Sequence, residues 1–546
     1  MGEIRGTVYE AFAESASRWA DRPFLAVTAG TAAAYGIAQR EFSYREVAFE
    51  TARLRAAYER GGYGVGQRAG LLLHNRPEFV FHWLALNGLG VSVVPINPDW
   101  RHEELAYLVG HSEIVIAVAP VERHGDLAAA AGAAGGVLVL AEPDGRGIEG
   151  SPGFAAMERA LPSVVTECAL LYTSGTTGRP KGCMLSNEYF LWAGQWYLTV
   201  GGLCEVRPGV ERMITPLPLT HMNAMAFSTM CMLLSGGSLV AVDRFHPRSW
   251  WETVRESRAT IMHYLGVMPA MLLATPTADS DRAHDVRFGF GAGVQPRHHA
   301  AFEHRFGIPL VEAWAMTETG SGAVVIANRE PRQVGTACFG RPDERVEYRL
   351  VDVDGRDVPI GEIGELLVRQ RGARPRFGFF AGYLKDEAAT AEAWRDGWFH
   401  TGDLVREDQT GQLHFVDRRR NLIRRSGENI SALEVESVLL QHPDVAAAGV
   451  TAVPDEVRGD EVMACIVPAP GSTAAIDPAA LARSIADFCL ARLAYYKAPG
   501  YVALCTALPL TSTEKIQRGE LGDLARRLLA EGASIDTRDM KKRFRA

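Results

Sequence analysis

Cysteine is scarce in this chain. It has eight in 546 residues, scattered, with no C-x-x-C pair. That excludes a disulfide framework and a zinc ribbon, and it suits a reducing compartment. There is no uninterrupted run of eighteen apolar residues, so no membrane span is expected. Residues 1–6 carry no apolar signal core, and Gly6 stands where a myristoylation signal wants Ser or Thr. These absences together lead us to expect a cytoplasmic protein. Positive charge is not in excess either: 57 Lys and Arg face 65 Asp and Glu, for a net charge of −8. A general nucleic-acid binder is thereby excluded, and the basic run 541–545 reads as a solvated end. No internal repeat is visible.

What remains is ordinary globular material, 47% hydrophobic and 22% charged. A chain of this length needs two or more cores. Short apolar runs at 70–73, 91–96 and 114–118 read as strands. Val47, Thr51, Leu54 and Tyr58 recur along one helical face. Such alternation predicts an α/β protein whose large N-terminal domain has parallel or mixed sheets covered by helices. The Ala/Gly-rich stretch 127–140 predicts a plain surface helix running into a short strand. A hairpin-like segment at 408–416 precedes a boundary near 417–421. Beyond it come a helix from Ser431, strands at 446–453 and 462–468, and a helix at 478–493. The expected division is 1–417 and 418–546, the second part being a small mobile α+β domain.

The chemistry is concentrated in Thr173-Ser174-Gly175-Thr176-Thr177-Gly178-Arg179-Pro180-Lys181-Gly182. It follows the apolar run 169–172, which predicts a buried strand. Almost nothing in the ten residues is apolar, so the loop adds little to a core. It offers backbone N–H groups, hydroxyls and one cation to a polyphosphate, and its glycines permit close approach. The spacing is not that of a Walker A loop, which needs G-x-x-x-x-G-K-[ST]. At the end of a parallel strand such a loop lies where α/β sheets bind ligands.

This loop resembles the phosphate loop of the adenylate-forming superfamily: acyl-CoA synthetases, non-ribosomal peptide adenylation domains and luciferases. At least five further segments match in the expected order. The resemblance makes Thr173, Ser174, Gly175, Thr176, Thr177, Gly178 and Lys181 phosphate-binding residues. Trp314-Ala315-Met316-Thr317-Glu318 is similar to the segment in which an aromatic stacks on adenine, a threonine touches the α-phosphate and a glutamate binds Mg²⁺. Here Trp314 replaces the more usual tyrosine, and Glu318 is the metal ligand. Gly291 and Gly293, in 289–294, match a strand end that lines the acyl and adenine pockets. His221, in 216–223, matches a histidine near the acid, although a buried, satisfied core histidine explains it nearly as well. Asp403 and Arg418 match the ribose-side pair. Lys515 matches the catalytic lysine that bridges carboxylate and α-phosphate, with Glu514 in place of the usual glycine. Arg420 falls at the hinge, where Asp or Lys is common. Gly427 falls in the loop that meets the pantetheine arm of CoA, next to Ser426 where a second glycine often stands.

The resemblance implies an ATP-dependent acid–CoA ligase with ATP, Mg²⁺ and CoA as cofactors or co-substrates. Lys515, Glu318 and Thr173 are its expected catalytic residues, and a small carboxylic acid is its substrate. Oligomeric state stays open, a homodimer included. The run 415–425 is similar to the crotonobetaine/carnitine–CoA ligase-like branch. Met225, Phe227, Met268, Phe290 and Trp314 suit either a moderately apolar acid pocket or plain core packing. One alternative is an adenylating enzyme that loads a carrier-protein thiol, although too few residues follow Arg518 for a carrier domain. A second is an inactive nucleotide-binding homologue; Lys181, Glu318, Asp403, Arg418 and Lys515 all being present argues against it.

Overall fold

The computed structural model describes residues 4–100, 102–148, 160–173, 180–418, 422–425, 428–455, 459–471, 477–511 and 515–541. They pack as two compact units. The larger comprises Met1–Tyr348 and Val368–His400, the smaller Arg349–Leu367 and Thr401–Ala546.

Helix Tyr44–Arg60 in the larger unit shows how local chemistry sets the elements. The Ser43 hydroxyl accepts from the Glu46 N–H, and the Glu46 carboxylate reaches back to the Ser43 N–H. This reciprocal cap satisfies two otherwise orphaned donors. Val47, Thr51, Leu54 and Tyr58 are all buried, as their spacing predicts. The expected strands form at Arg68–Leu71, Ser92–Pro95 and Ile114–Val118. The 127–140 stretch gives helix His124–Ala133 and strand Val139–Ala141. That helix is not plain surface, because Leu127, Ala130 and Ala131 are buried in an apolar cluster with Leu105 and Leu108.

Two sheets organise this unit. The seven-stranded sheet runs Gly382–Tyr383, Lys181–Ser186, Glu167–Thr173, Ser92–Pro95, Arg68–Leu71, Ile114–Val118, Val139–Ala141. From Glu167–Thr173 onward its pairings are parallel; the first two are antiparallel. The eight-stranded sheet runs Val325–Ile326, Leu310–Trp314, Phe288–Ala292, Ile261–Leu265, Arg212–Thr215, Ser238–Ala241, Pro23–Val27, Arg40–Ser43. Only its two outermost pairings are antiparallel. Parallel strands buried on both faces read as continuous apolar runs, which is why they are visible in the sequence.

In the smaller unit, Trp398–Glu407 and Leu413–Arg418 pair antiparallel around the turn at 408–411, where Gly411 N donates to Asp408 O. Strands Val445–Asp455 and Gly459–Pro468 form a long antiparallel pair, and Tyr501–Leu504 adds parallel to the second. Helices Ala432–Leu439 and Pro478–Leu490 cover this sheet. Ile423, Val435, Leu439, Val462, Leu481, Ile485 and Val502 share its core. Ser431 caps the first helix and Asp477 the second, with Pro478 at its first turn. Among the described residues, no helix is long and apolar enough to cross a membrane. The fold class is the expected one.

Candidate active site

The loop expected to hold phosphate hangs from a hairpin. Strands Glu167–Thr173 and Lys181–Ser186 pair antiparallel with Thr173 opposite Lys181. Thr173 and Lys181 therefore stand at the base of the turn, one on each arm. Ser174, Gly175, Thr176, Thr177 and Gly178 lie outside the described residues.

Glu318 is brought to the same hairpin by a different route. Strand Leu310–Trp314 ends at the buried Trp314, and the chain turns sharply through 315–320. Gly320 N donates to Met316 O at 2.9 Å, and Met316 N donates to the Thr319 hydroxyl at 2.9 Å. The Tyr189 hydroxyl donates to Thr317 O at 2.9 Å. Gly320 has φ +49°, and a Cβ there would meet the Tyr189 ring at 2.2 Å, so only glycine closes this turn. Phe380 N donates to Glu318 O at 2.9 Å.

The Glu318 side chain is buried and threaded between groups of the seven-stranded sheet. Its Oε1 accepts from the Tyr383 hydroxyl at 2.9 Å. The Cys183 thiol is buried beside this carboxylate, and burial followed by the Glu318 charge pushes its pKa well up. The thiol thus stays protonated, a small donor inside the cluster. Lys181 Nζ lies 4.9 Å from the Tyr383 ring centroid and 3.5 Å from Asp386 Oδ2. Burial and then the Glu318 charge raise the Tyr383 pKa far above the ordinary phenol value, so its hydroxyl remains a donor. Lys181 and Glu318 are therefore joined through Tyr383, with Thr173 opposite Lys181 on the hairpin; the sequence reading singled out neither Tyr383 nor Cys183.

A hard divalent cation of the Mg²⁺ class takes one or two carboxylates and fills its shell with phosphate oxygens and water. Glu318 supplies such a carboxylate. Among the described residues no group of three His, Cys, Asp or Glu forms a metal cage. One carboxylate of this kind fits a cation carried with a polyphosphate.

A third missed residue is Glu312. It is buried, and its Oε2 accepts from Gly293 N at 2.9 Å while its Oε1 accepts from Val294 N at 3.2 Å. The Tyr264 hydroxyl donates to Oε1 at 2.8 Å. Burial raises its pKa, and these three donors oppose the rise. Glu312 thereby fixes the turn after strand Phe288–Ala292. Gly291 packs on strand Ile261–Leu265, where a Cβ would meet Tyr264 O at 2.3 Å; Gly293 is exposed. His221, weighed as a buried core histidine, is exposed. Met225, Phe227, Met268, Phe290 and Trp314 are all buried. The Phe227 and Phe290 rings pack on Trp196, and Trp314 lies 6.1 Å from Phe339.

The smaller unit holds the remaining described candidates. The strand register sets Asp403 opposite Arg418, and Arg418 Nε lies 3.2 Å from Asp403 Oδ1. Asp403 is buried, while the Arg418 side chain keeps 43% of its accessible area. Next to it, Asp417 Oδ1 accepts from Arg418 N at 2.7 Å and Oδ2 accepts from the Ser431 hydroxyl at 2.8 Å. Lys515 N donates to the Thr511 hydroxyl at 3.1 Å. Desolvation, then the Arg418 charge, lowers the Lys515 ammonium pKa. The residue is exposed. Arg420, Ser426, Gly427 and Glu514 lie outside the described residues. The root of the Gly427 loop is nonetheless fixed: Arg425 Nε sits 2.8 Å from both Glu461 oxygens, and Lys541 Nζ donates to Glu461 Oε1 at 2.6 Å.

The family described as AMP-binding enzyme matches residues 12–384, and its C-terminal domain matches 434–515. The chain belongs to the AMP-binding enzyme family. The crotonobetaine/carnitine–CoA ligase of Salmonella paratyphi C is 29% identical over 498 residues, covering 88% of this chain and 93% of that enzyme. The ATP-bound MatB structure from Rhodopseudomonas palustris is 25% identical with a TM-score of 0.79, covering 95% of this chain and 99% of that one. The anthranilate–CoA ligase AuaEII with anthranoyl-AMP shares the fold at a TM-score of 0.81, with 23% identity over 97% of this chain and 99% of its own. The superfamily resemblance read from the motifs therefore holds along the chain, as does the branch likeness read from 415–425. This AMP-binding enzyme carries Thr173, Lys181 and Glu318 on its larger unit, and Asp403, Arg418 and Lys515 on its smaller one.

Proposed function

We propose that this AMP-binding enzyme is an ATP-dependent acid–CoA ligase. The observation that carries the reading is the meeting of Lys181 and Glu318 on Tyr383, with Thr173 opposite Lys181 across one hairpin. A cation, a hydroxyl and a hard carboxylate at one turn are what a metal-bound triphosphate needs. The names of the relatives support ligation to CoA, and the ATP-bound MatB supports the nucleotide.

In the first half-reaction a substrate carboxylate oxygen attacks the ATP α-phosphorus, and the bond to pyrophosphate breaks. Thr173 and Lys181 hold phosphate oxygens, and Asp403 and Arg418 take the ribose side. Lys515 meets the charge shared by carboxylate and α-phosphate, because two anions must come together. Bound Mg²⁺, held by Glu318 and phosphate oxygens, would supply neutralisation of the leaving pyrophosphate. In the second half-reaction the CoA thiol attacks the acyl carbon and AMP leaves. Gly427 serves the CoA arm, Trp314 the adenine, Gly291, Gly293 and His221 the pocket walls. The part beyond 417 moves about Arg420 between the two steps.

The test is a pyrophosphate-release screen over aliphatic, aromatic and quaternary-ammonium carboxylates, with and without CoA. One or more acids should yield pyrophosphate and AMP, and CoA should convert the adenylate to a thioester. A panel that never yields AMP sinks the reading. Adenylate that forms but is not taken up by CoA directs the acyl group to a carrier-protein thiol.

A further inference from the structure

We propose that Tyr383 is a positioning residue of the nucleotide site, aiming Glu318 with its hydroxyl and supporting Lys181 with its ring. The inference rests on the ligase reading above. Tyr383 lies outside both the loop and the 314–318 segment, yet its side chain touches Lys181 of the one and Glu318 of the other.

Its backbone is held firmly. Strand Gly382–Tyr383 pairs antiparallel with Lys181–Ser186, placing Tyr383 opposite Cys183. Ala381 N donates to Met184 O at 2.8 Å and Leu384 N donates to Gly182 O at 2.8 Å. The ring is thus registered against the same strand that begins with Lys181. Its hydroxyl has one proton and gives it to Glu318 Oε1 at 2.9 Å. A carboxylate held at one oxygen loses rotational freedom, and its other oxygen acquires a defined direction. Groups that orient a metal-binding carboxylate in this way govern affinity nearly as strongly as the carboxylate itself. The ring face does separate work. Lys181 Nζ sits 4.9 Å above it, with Asp386 Oδ2 at 3.5 Å, so the ammonium is guided by an aromatic face and one carboxylate. One residue therefore sets the spacing between the cation and the metal carboxylate.

Graded variants separate the two tasks, since Tyr383→Phe keeps the ring and Tyr383→Leu removes ring and hydroxyl. The measurement is calorimetric binding of α,β-methylene-ATP to the full chain across a MgCl₂ titration. For Tyr383→Phe, the MgCl₂ needed for half-maximal nucleotide affinity should rise on the order of tenfold, while affinity without metal is unchanged. Tyr383→Leu should add an about three- to fivefold loss of metal-free affinity. In Glu318→Gln, adding Tyr383→Phe should change the metal dependence no further, a result that general loosening of the fold does not produce. A wild-type metal dependence in Tyr383→Phe, or full additivity with Glu318→Gln, overturns the proposal. If Tyr383→Leu fails to fold, the Phe variant and the double variant still decide it. The ligase reading fails separately, through absence of AMP from the wild type with any acid.

Discussion

The candidate residues of the larger unit and those of the smaller unit are held on opposite plans. In the larger unit, Glu318 is buried, Thr173 and Lys181 share one hairpin, and Tyr383 ties carboxylate to cation. In the smaller unit, Asp403 is buried, but the guanidinium of its partner Arg418 looks outward. Asp403 and Asp417 are buried, while Arg418 is half-exposed and Lys515 exposed. The first plan suits groups that must hold polyphosphate in one geometry before reaction. The second suits cations that must engage and disengage. Elsewhere in the smaller unit, Glu461 shows what a purely structural charge looks like. Arg425 and Lys541 both close on it, and all three side chains are almost wholly hidden.

That contrast can be broken most forcefully at Glu461. Arg425→Ala removes one partner of a buried pair, and such losses cost about 3–5 kcal/mol. Urea unfolding should show the destabilisation. A loss under about 1 kcal/mol would mean Glu461 is no more structural than Asp403. Lys515→Ala should act on rate instead. Adenylation measured by pyrophosphate exchange should fall on the order of 100- to 1,000-fold, with ATP binding retained and the unfolding midpoint unmoved.

Acid should probe the rigid plan of the larger unit. His82 is buried, with Nδ1 2.7 Å from the Tyr58 hydroxyl and Nε2 3.0 Å from Pro143 O. Desolvation lowers its pKa from 6.5 to about 4. The unfolded side chain then takes up a proton before the folded one does. Stability is fully present above pH 6.5 and is lost as pH falls toward 4, by about 2 kcal/mol at pH 5. His82→Gln should remove that part of the loss between pH 7 and 5 in urea titrations. The smallest effect is expected at Ser431, whose hydroxyl accepts from Glu434 N and donates to Asp417. Ser431→Ala should cost about 1 kcal/mol. If the cap also steadies Arg418 through Asp417, the KM for ATP should rise with little change in kcat.

Much of this was legible in the sequence, for definite reasons. The strand 169–172, the helix face of Val47, Thr51, Leu54 and Tyr58, and the hairpin at 408–416 all declare themselves within a few residues. Helix starts at Ser431 and Pro478 carry their caps in the sequence. Boundaries drifted by a residue or a few: the helix expected to reach 493 ends at Leu490. Tyr383 was invisible because its role depends on pairing with a strand some two hundred residues earlier. Glu312 was invisible for another reason. A single carboxylate in an apolar strand gives no sign of the three donors that will converge on it. The acid pocket stayed illegible because Phe227 and Phe290 satisfy an apolar-pocket pattern and a core pattern alike. A π-helical turn at Asn223–Thr229 also lies outside the 3.6-residue period on which such readings rely.

Lys541 gives the carboxyl end of the chain a weight out of proportion to its position. Its ammonium is seated on Glu461 and also donates to Tyr496 O at 3.2 Å. Trimming the protein ahead of this residue, or pulling on it with a badly placed fusion partner, would take the Lys541 ammonium away from Glu461 beside Arg425. The damage would then surface at the root of the Gly427 loop, more than a hundred positions upstream.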